Sequence, residues 1–311
     1  MKITRFFSVL LISMLALALV TGCSKKPAEK EQSYALFMSH MTNAFTIEMS
    51  DAVKSKAAEL GVKVTVYEAE KDVAKQISQI ETAVQQGVSG IVIEPVSVDG
   101  VVPAIEAAKK AGVAVVVVNQ KISKPEAADS FVGVENFDGG VLEMKTAAEA
   151  IGGKGNVAFL LGPMGSDAQI GRTNGYYEVL KSYPDIKVAF EQTANWRTDE
   201  ALKIVENWLQ TGTQLAAVVA NNDGMALGAL KAVEDAKLLG KVKIYGLDAT
   251  PDALAAVKDG RLTATVSQST TLQGTTAMET VNRIVKGESV EKEILVSFTL
   301  ITKDNVDQFI K

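Results

Sequence analysis

Short apolar runs alternate with amphipathic stretches from residue 33 almost to the carboxyl end of the chain. The run VAVVVV at 113–118 is apolar at every position, which is typical of a strand covered on both faces of a parallel sheet. The stretch DVAKQISQIETAVQQG at 72–87 repeats its apolar residues at helical spacing and ends in glycine, which predicts an amphipathic helix. This alternation of the two patterns predicts successive βαβ units.

The alternation occurs in two consecutive series. The first series predicts strands at 33–39, 62–69, 90–96 and 113–118. The second series predicts strands at 131–134, 156–162, 186–192, 215–221, 242–248 and 262–268. Two such series predict an α/β protein made of two doubly wound lobes, each built on a parallel sheet.

The first 33 residues follow a different pattern, that of an export signal. Lys2 and Arg5 precede a 12-residue apolar run at 9–20, which is shorter than the roughly 20 residues that span a bilayer. The run ends in VTGC, which resembles a bacterial lipobox, and its Cys23 is the only cysteine. We expect a signal peptide at 1–22, lipidation of Cys23 and a flexible tether at 23–33. The protein would then be exported and lipid-anchored to the cell membrane, in the periplasm or on the outer face of the cytoplasmic membrane. An ordinary secretory signal with an incidental cysteine remains the alternative.

Composition and motifs argue against several other classes of protein. The net charge is −5 and no block of five like charges occurs, which argues against a nucleic-acid partner. With one His and one Cys, a zinc site, a disulfide and a Cys–His nucleophile are not expected. The dinucleotide, phosphate-loop and nucleophile-elbow motifs do not occur. We therefore expect no metal, no cofactor and no enzymatic activity.

Polar side chains follow several predicted strands at their carboxyl ends, where open parallel sheets bind ligands. Asn119 ends the run of valines, and Asn222, Asp248 and Gln268 occupy matching positions in the second series. Amides and carboxylates both donate and accept hydrogen bonds, which suits a ligand with many hydroxyl groups. Two of these residues also suit purely structural roles, Asn222 as a helix N-cap and Gln268 as a polar residue between strands.

Three segments carry a resemblance to a known family. They are NNDGMALGALKA at 221–232, YGLDATPDALAAVKDGRLTATVSQ at 245–268 and GRTNGY at 171–176. From about Tyr34 to Lys311 the chain resembles bacterial periplasmic sugar-binding proteins of the ribose- and galactose-binding type, the substrate-binding components of ABC importers. The resemblance implies the type I periplasmic-binding-protein fold, whose two lobes are joined by three hinge strands and close over the ligand. The expected lobes are 34–133 plus 269–298 and 134–268 plus 299–311.

The resemblance also implies a set of binding residues. The expected ligand-binding residues are Asn43, Phe45, Asn119, Arg172, Trp196, Asn222, Asp248 and Gln268. A second group of candidates comprises Ser39, Gln120, Asp167 and Gln169. In this set Phe45 and Trp196 would stack on the apolar face of a sugar ring, although Trp196 also suits a place in the core.

Departures from the ribose-type pattern make ribose an unexpected ligand. The ribose-type Asp-Arg pair is Asn119-Gln120 here, and Ile170 stands where a ribose-type arginine would be. The segments SDAQIGRTNGY and QTANWRTDEAL are more similar to inositol- and rhizopine-binding members of the family. We expect a small neutral sugar or cyclitol, with myo-inositol or a related polyol first and a galactose- or glucose-type hexose as the alternative.

The resemblance implies a monomeric solute-binding lipoprotein that delivers its ligand to the transmembrane subunits of an ABC permease. A sugar sensor that presents its ligand to a membrane kinase or chemoreceptor is the alternative that shares every one of these features. A transcription regulator of the lac-repressor type shares the core but needs an N-terminal DNA-binding domain. The signal peptide occupies that position in this chain.

Overall fold

The structure is a computed structural model that describes residues 32–310, so the predicted signal peptide, Cys23 and nearly all of the tether lie outside it. Its strands are β1 Ser33–Met38, β2 Lys63–Glu68, β3 Gly90–Ile93, β4 Ala114–Asn119, β5 Ser130–Gly133, β6 Lys154–Leu161, β7 Asp185–Thr193, β8 Leu215–Ala220, β9 Lys243–Leu247, β10 Ala264–Ser267, β11 Glu293–Leu295 and β12 Thr299–Ile301. Its α-helices are α1 Ala44–Glu59, α2 Val73–Gln85, α3 Val102–Lys110, α4 Asn136–Ala150, α5 Asp167–Leu180, α6 Thr198–Gln210, α7 Asp223–Asp235, α8 Pro251–Lys258 and α9 Thr270–Val285.

The strands form two six-stranded sheets, which confirms the predicted fold of two doubly wound α/β lobes. The strand predicted at 131–134 as part of the second series is β5, which instead pairs with β4 in the first sheet. The first sheet has the order β11-β5-β4-β3-β1-β2 and is parallel throughout. The second sheet has the order β12-β10-β9-β8-β6-β7 and is parallel except for its edge strand β12, which pairs antiparallel with β10. In both sheets the strand order reverses beside the first strand of the lobe, and this reversal opens a crevice at the carboxyl ends of the strands.

Strand β4 shows why the valine run is apolar at every position. Val115 and Val117 pack into a core on one face of the first sheet, and Val116 and Val118 pack into a second core on the other face. Helices cover both faces, so side chains that alternate along the strand are all buried. The second sheet likewise lies between two cores.

The chain passes between the two sheets three times. It leaves the first sheet after β5 and returns after β10. The return is shown by α9, which packs on α1 and on strands of the first sheet. The third passage lies between β11 in the first sheet and β12 in the second. The exact lobe boundaries given above stay a prediction.

Within residues 32–310, no helix is both long enough and apolar enough to cross a bilayer.

A close approach of α4 and α5 depends on glycine. A Cβ atom at Gly140 would lie 2.1 Å from the carbonyl oxygen of Arg172, which is a backbone atom that cannot rotate away. The two helices can therefore pack this closely only with glycine at residue 140. Their contact fixes the position of the Arg172 backbone within the second lobe.

We expect Gly140→Ala to destabilise the protein by roughly 1–3 kcal/mol, because the added methyl group forces the two helix backbones apart. The control is Gly224→Ala in α7, where the nearest atoms to an added Cβ lie at 3.5 Å. Because alanine favours a helix over glycine by about 1 kcal/mol, the control should keep or raise stability. Urea unfolding of both variants measures the difference, and equal stability of the two would show that helix contact does not limit residue 140.

Candidate ligand-binding site

A pocket lies between the lobes where the carboxyl ends of the two sheets face each other. It contains about 350 Å³ of space free of protein atoms, part of which is open to solvent. Its lining consists of His40, Asn43, Phe45, Thr46, Glu94, Asn119, Gln120, Ala168, Arg172, Trp196, Asn222, Asp248 and Gln268.

All eight residues of the first predicted group line this single pocket, and so does Gln120 from the second group. The other three candidates do not line it. The Ser39 side chain donates to Glu94, and Gln169 bonds the Gly165 N–H and the Thr173 hydroxyl. Asp167 accepts from the Asn136 amide and from the backbone N–H of Lys121, which lies in the other lobe. The structure thus brings the first group together, and its role in binding stays a prediction.

Two asparagines, one from each lobe, have the same geometry. Asn43 is the N-cap of α1, and its Oδ1 accepts from the backbone N–H of Thr46 at 2.9 Å. Asn222 is the N-cap of α7, and its Oδ1 accepts from the backbone N–H of Met225 at 3.0 Å. Capping uses the oxygen of each amide and leaves its Nδ2 without a partner among the described residues. Capping and ligand contact are therefore compatible, and the pocket has one amide donor from each side.

The backbone is strained at three pocket residues. Asn119, Trp196 and Asp248 have φ of +66°, +62° and +138°, three of the nine positive-φ residues other than glycine in the described chain. Such conformations cost of order 1–3 kcal/mol each and occur most often at functional sites. Asn119 ends the buried strand β4 and Asp248 directly follows the buried strand β9, so both polar side chains enter the pocket at strand ends, whereas Trp196 lies in the loop after the partly exposed edge strand β7.

Arg172 is fixed by its own lobe before any ligand arrives. Its guanidinium donates to Oδ1 of Asn136 at 3.1 Å and to the carbonyl oxygen of Asn221 at 2.5 Å. It lies 3.9 Å from a carboxylate oxygen of Asp248 and 5.9 Å from the Trp196 ring centroid. Only 3% of the residue is exposed, so its orientation is set by these contacts.

Asp248 is buried and accepts from Nε2 of Gln268 at 2.7 Å. Burial raises the pKa of Asp248 to about 8, although the nearby Arg172 charge acts in the opposite direction. Near neutral pH this carboxyl can therefore both donate and accept. A hydroxyl group has the same dual capacity, so the two are suited to each other.

A neighbouring aspartate holds the Asp248 loop in place. Asp223, the first residue of α7, accepts from the Thr250 backbone N–H at 2.8 Å and from the Thr265 hydroxyl at 2.6 Å. Burial raises its pKa to about 6. Asp223 does not line the pocket, so it supports Asp248 rather than facing the ligand.

An aromatic ring from each lobe completes the lining. Phe45 is buried at the start of α1, and Trp196 is half-buried in the loop before α6. The Trp196 ring lies directly over Gly162, where an added Cβ would be 2.1 Å from the ring. The ring is therefore seated against backbone and held in the pocket wall.

A wider space of about 950 Å³ adjoins the pocket and shares Asn43, Phe45, Trp196, Asn222 and Asp248 with it. Its other lining residues include the exposed side chains of Arg197 and Asp252. This space forms the open side of the cleft between the lobes.

Four pocket residues were not among the expected ligand-binding residues: His40, Thr46, Glu94 and Ala168. The most consequential is Glu94, a 2%-exposed carboxylate directly after β3. The predicted strand at 90–96 ran past Glu94, whereas β3 ends at Ile93. A shorter strand would have placed Glu94 at a strand end, with the same signal that identified Asn119.

A second buried carboxyl lies outside the pocket lining. Glu143 in α4 is 1% exposed and accepts from the Tyr176 hydroxyl of α5. Its other oxygen has no hydrogen-bond partner within residues 32–310. Burial raises the pKa of Glu143 to about 8, while the Tyr176 hydrogen bond and the Arg172 charge lower it.

Comparison with known proteins places this geometry in a family. Residues 34–289 match the periplasmic binding protein domain. The chain is 37% identical over 266 residues to a xylitol-binding protein of Mycolicibacterium smegmatis, covering 85% of this chain and 76% of that protein. It is 35% identical over 255 residues to a putative rhizopine-binding protein of Rhizobium meliloti, covering 80% of this chain and 82% of the relative.

A solved structure agrees with these relatives. An ABC transporter solute-binding protein from Bacillus halodurans, with bound myo-inositol, superposes with a TM-score of 0.86 at 33% sequence identity. The match covers 90% of this chain and 97% of that one.

We expect Glu143→Gln to remove part of the pH dependence of stability. An unfolded glutamate loses its proton near pH ~4.3, whereas folded Glu143 keeps its proton until about pH 8. Between these values the folded state binds more protons, so stability falls as pH rises. Thermal melts at pH 5 and pH 8 should show a larger loss for the wild type than for Glu143→Gln. Parallel pH profiles for the two proteins would mean that Glu143 is already ionised in the folded protein.

Proposed function

The chain belongs to the periplasmic binding protein family, and from this premise we propose that it captures a monosaccharide-sized polyol between its lobes for an ABC importer. The first candidate is myo-inositol or a related cyclitol. The observation that carries the proposal is the convergence of amide, carboxyl, guanidinium and aromatic groups from both lobes on one small pocket. Its relatives are transport binding proteins, and no enzymatic role is proposed.

The arrangement of polar groups supports a hydroxyl-rich ligand. Asn43 and Asn222 each have an amide donor with no partner within residues 32–310, while Asp248 both donates and accepts. Each ligand hydroxyl is a donor and an acceptor, so it matches such a mixed set. A ligand that lacks one hydroxyl leaves a buried polar group unpaired, at roughly 1–3 kcal/mol. Phe45 and Trp196 lie on opposite lobes and give apolar surface for the faces of a ring.

Binding and closure are coupled in this proposal. Asn43, Phe45 and Asn119 belong to the lobe of the first sheet, and Trp196 and Asp248 belong to that of the second. A ligand contacts both groups at once only when the lobes are closed, so it shifts the population toward the closed form. The permease would then recognise the closed shape. A dissociation constant of roughly 0.1–10 μM corresponds to about 7–10 kcal/mol.

Two observations favour a cyclitol or related polyol over ribose. The ribose-type charged pair is replaced by the amides Asn119 and Gln120, both of which line the pocket. The Bacillus halodurans structure also contains myo-inositol, and the Mycolicibacterium relative is named for xylitol. A galactose- or glucose-type hexose remains the alternative ligand.

We further propose that Cys23 is lipidated after removal of residues 1–22, which anchors the protein on the extracytoplasmic side of the membrane. The lipobox-like VTGC sequence supports this proposal. The short polar stretch up to β1 would then act as the tether.

The ligand is identified by a thermal-shift screen against myo-inositol, xylitol, D-ribose, D-allose, D-galactose and D-glucose. Ligand at a hundred times its dissociation constant stabilises the folded state by about 2.7 kcal/mol, which raises Tm by about 5 °C. We expect myo-inositol or xylitol to give the largest shift. A protein whose Tm does not change with any polyol or sugar would refute the proposed function.

Asp248→Ala should weaken binding of the identified ligand by about tenfold or more, because it removes a buried dual donor and acceptor. The control is Asp235→Ala, an exposed aspartate in α7 that pairs with Lys231 outside the pocket. Isothermal titration calorimetry measures both variants. Equal affinity of Asp248→Ala and the control would remove Asp248 from the site.

Cys23→Ser in the full-length chain should move the protein from the membrane fraction to the soluble extracytoplasmic fraction, because serine cannot form the thioether to the lipid. Cell fractionation with immunoblotting measures the distribution. A membrane-bound serine variant would contradict the anchor at Cys23.

A further inference from the structure

Lys121 lies where the first lobe meets the chain that leaves it. Strand β4 ends at Asn119, which pairs with Gly133, the last residue of the neighbouring strand β5. Directly after Gly133 the chain passes to the second lobe, where α4 begins at residue 136. Lys121 and Glu135 each come two residues beyond this paired point, so they lie side by side at the first passage between the sheets.

The side chain of Lys121 joins two of the three passages. Its Nζ lies 2.9 Å from Oε2 of Glu135, in the first passage, and 3.1 Å from Oε1 of Glu293. Glu293 is the first residue of β11, which leads into the third passage. Burial lowers the pKa of Lys121, but hydrogen bonds to the two carboxylates raise it overall, so the lysine keeps its charge. One cation therefore balances two carboxylates that belong to different passages.

The surroundings of Lys121 favour this arrangement. Exposed ion pairs usually contribute little to stability, partly because two long side chains must be ordered. The Lys121 side chain is only 32% exposed, and its Nζ lies 5.7 Å from the centroid of the Phe131 ring. That ring in turn lies against the backbone of Gly133, where an added Cβ would be 2.3 Å from it. The lysine side chain is thus confined by its neighbours, so its ion pairs require less ordering.

The backbone of Lys121 contacts the second lobe. Its N–H donates to Oδ2 of Asp167, the first residue of α5, at 3.5 Å. The same oxygen accepts from Nδ2 of Asn136, and Oδ1 of Asn136 accepts from Nε of Arg172. A distance of 3.5 Å is at the outer limit of a hydrogen bond, so a small separation of the lobes breaks this contact. The contacts connect Lys121 to the guanidinium in the pocket wall, although Lys121 itself does not line the pocket.

We propose that Lys121 joins the lobes outside the pocket and stabilises the closed form without contacting the ligand. The proposal rests on the proposed function, because it concerns lobes that close over a bound molecule. A residue that acts on closure alone changes the fraction of protein competent to bind, so it changes every dissociation constant by the same factor. A residue that contacts the ligand changes the dissociation constants of different ligands unequally.

The test uses Lys121→Met, which keeps an unbranched apolar side chain and removes the charge. We expect it to weaken the binding of myo-inositol and of xylitol by the same factor, about three- to tenfold, in isothermal titration calorimetry. Most of the loss should be a faster dissociation rate, measured by stopped-flow fluorescence, because the contacts form after the molecule has entered. Both probes are uncharged, so a direct attraction to Lys121 does not enter the comparison.

Three further variants separate closure from general stability. Lys109→Met is the matched control, since Lys109 is 28% exposed and pairs with Asp129 inside the first lobe, and it should keep wild-type affinity. Lys121→Arg retains the charge and should restore affinity to within about twofold of the wild type. Glu135→Gln removes the carboxylate of the first passage. Combined with Lys121→Met it should weaken binding no more than Lys121→Met alone, because the two residues act through one contact.

Small-angle X-ray scattering gives a readout that needs no ligand. Without the charge of Lys121 the lobes separate more easily, so the radius of gyration of ligand-free Lys121→Met should exceed that of the wild type and of Lys109→Met. This arm decides the matter if the wild type binds fewer than two of the probes. A larger radius in that case supports the inference, and the absence of binding counts against the proposed function alone.

The outcomes of the binding arm are equally distinct. Equal weakening of both polyols by Lys121→Met, with Lys109→Met unchanged, supports the inference. Unequal factors for the two polyols overturn it, because Lys121 would then act inside the pocket. Unchanged affinities also overturn it, and so does an equal loss in Lys109→Met. In the scattering arm, a radius of gyration for Lys121→Met no larger than that of Lys109→Met overturns it.

Discussion

The structure depends on one constraint: polar groups buried between the lobes are satisfied on one side by their own lobe, and we propose that a ligand satisfies them on the other side. Asn43 and Asn222 show it most clearly, since each uses its oxygen to cap a helix, and the nitrogen of each has no partner in the part of the chain that the structure describes. Arg172 is held by Asn136 and Asn221 in the same way. Because these side chains are positioned before the ligand arrives, binding does not have to order them, and a larger share of the contact energy contributes to affinity.

The same constraint accounts for the backbone and the electrostatics of the site. Positive φ angles at Asn119 and Asp248 end buried strands abruptly and turn these side chains into the cleft, and a third positive φ at Trp196 lies in the loop after the edge strand β7. Carboxyl groups in and beneath the pocket, at Asp248 and Glu143, have pKa values raised by burial. The second lobe thus surrounds Arg172 with groups that remain largely uncharged near neutral pH, whereas the first lobe presents Glu94 without a paired lysine or arginine from the described chain.

The fold and much of the site could be predicted from the sequence because both depend on local periodic patterns. The valine run of β4 is apolar on both faces, and its abrupt end at Asn119 marks the binding edge of the sheet. Glu94 could not be found this way, since the apolar run around it gave no sign that β3 ends at Ile93. The strands β11 and β12 have only three residues each, too few for a periodic pattern, and their positions are set by pairing with β5 and β10. Asp167 was expected near the ligand, but a helix N-terminus also lets it contact Asn136 and the Lys121 backbone across the lobes, which sequence spacing does not reveal.

The most direct test of this account is a high-resolution crystal structure of the protein with its bound polyol. The account predicts one ligand ring between Phe45 and Trp196, with Nδ2 of Asn43 and of Asn222 donating to its oxygens from opposite lobes. The Oδ1 atoms of both asparagines should still accept from Thr46 and Met225. A ligand held by one lobe alone, or asparagines that leave their helix caps to reach it, would contradict the account.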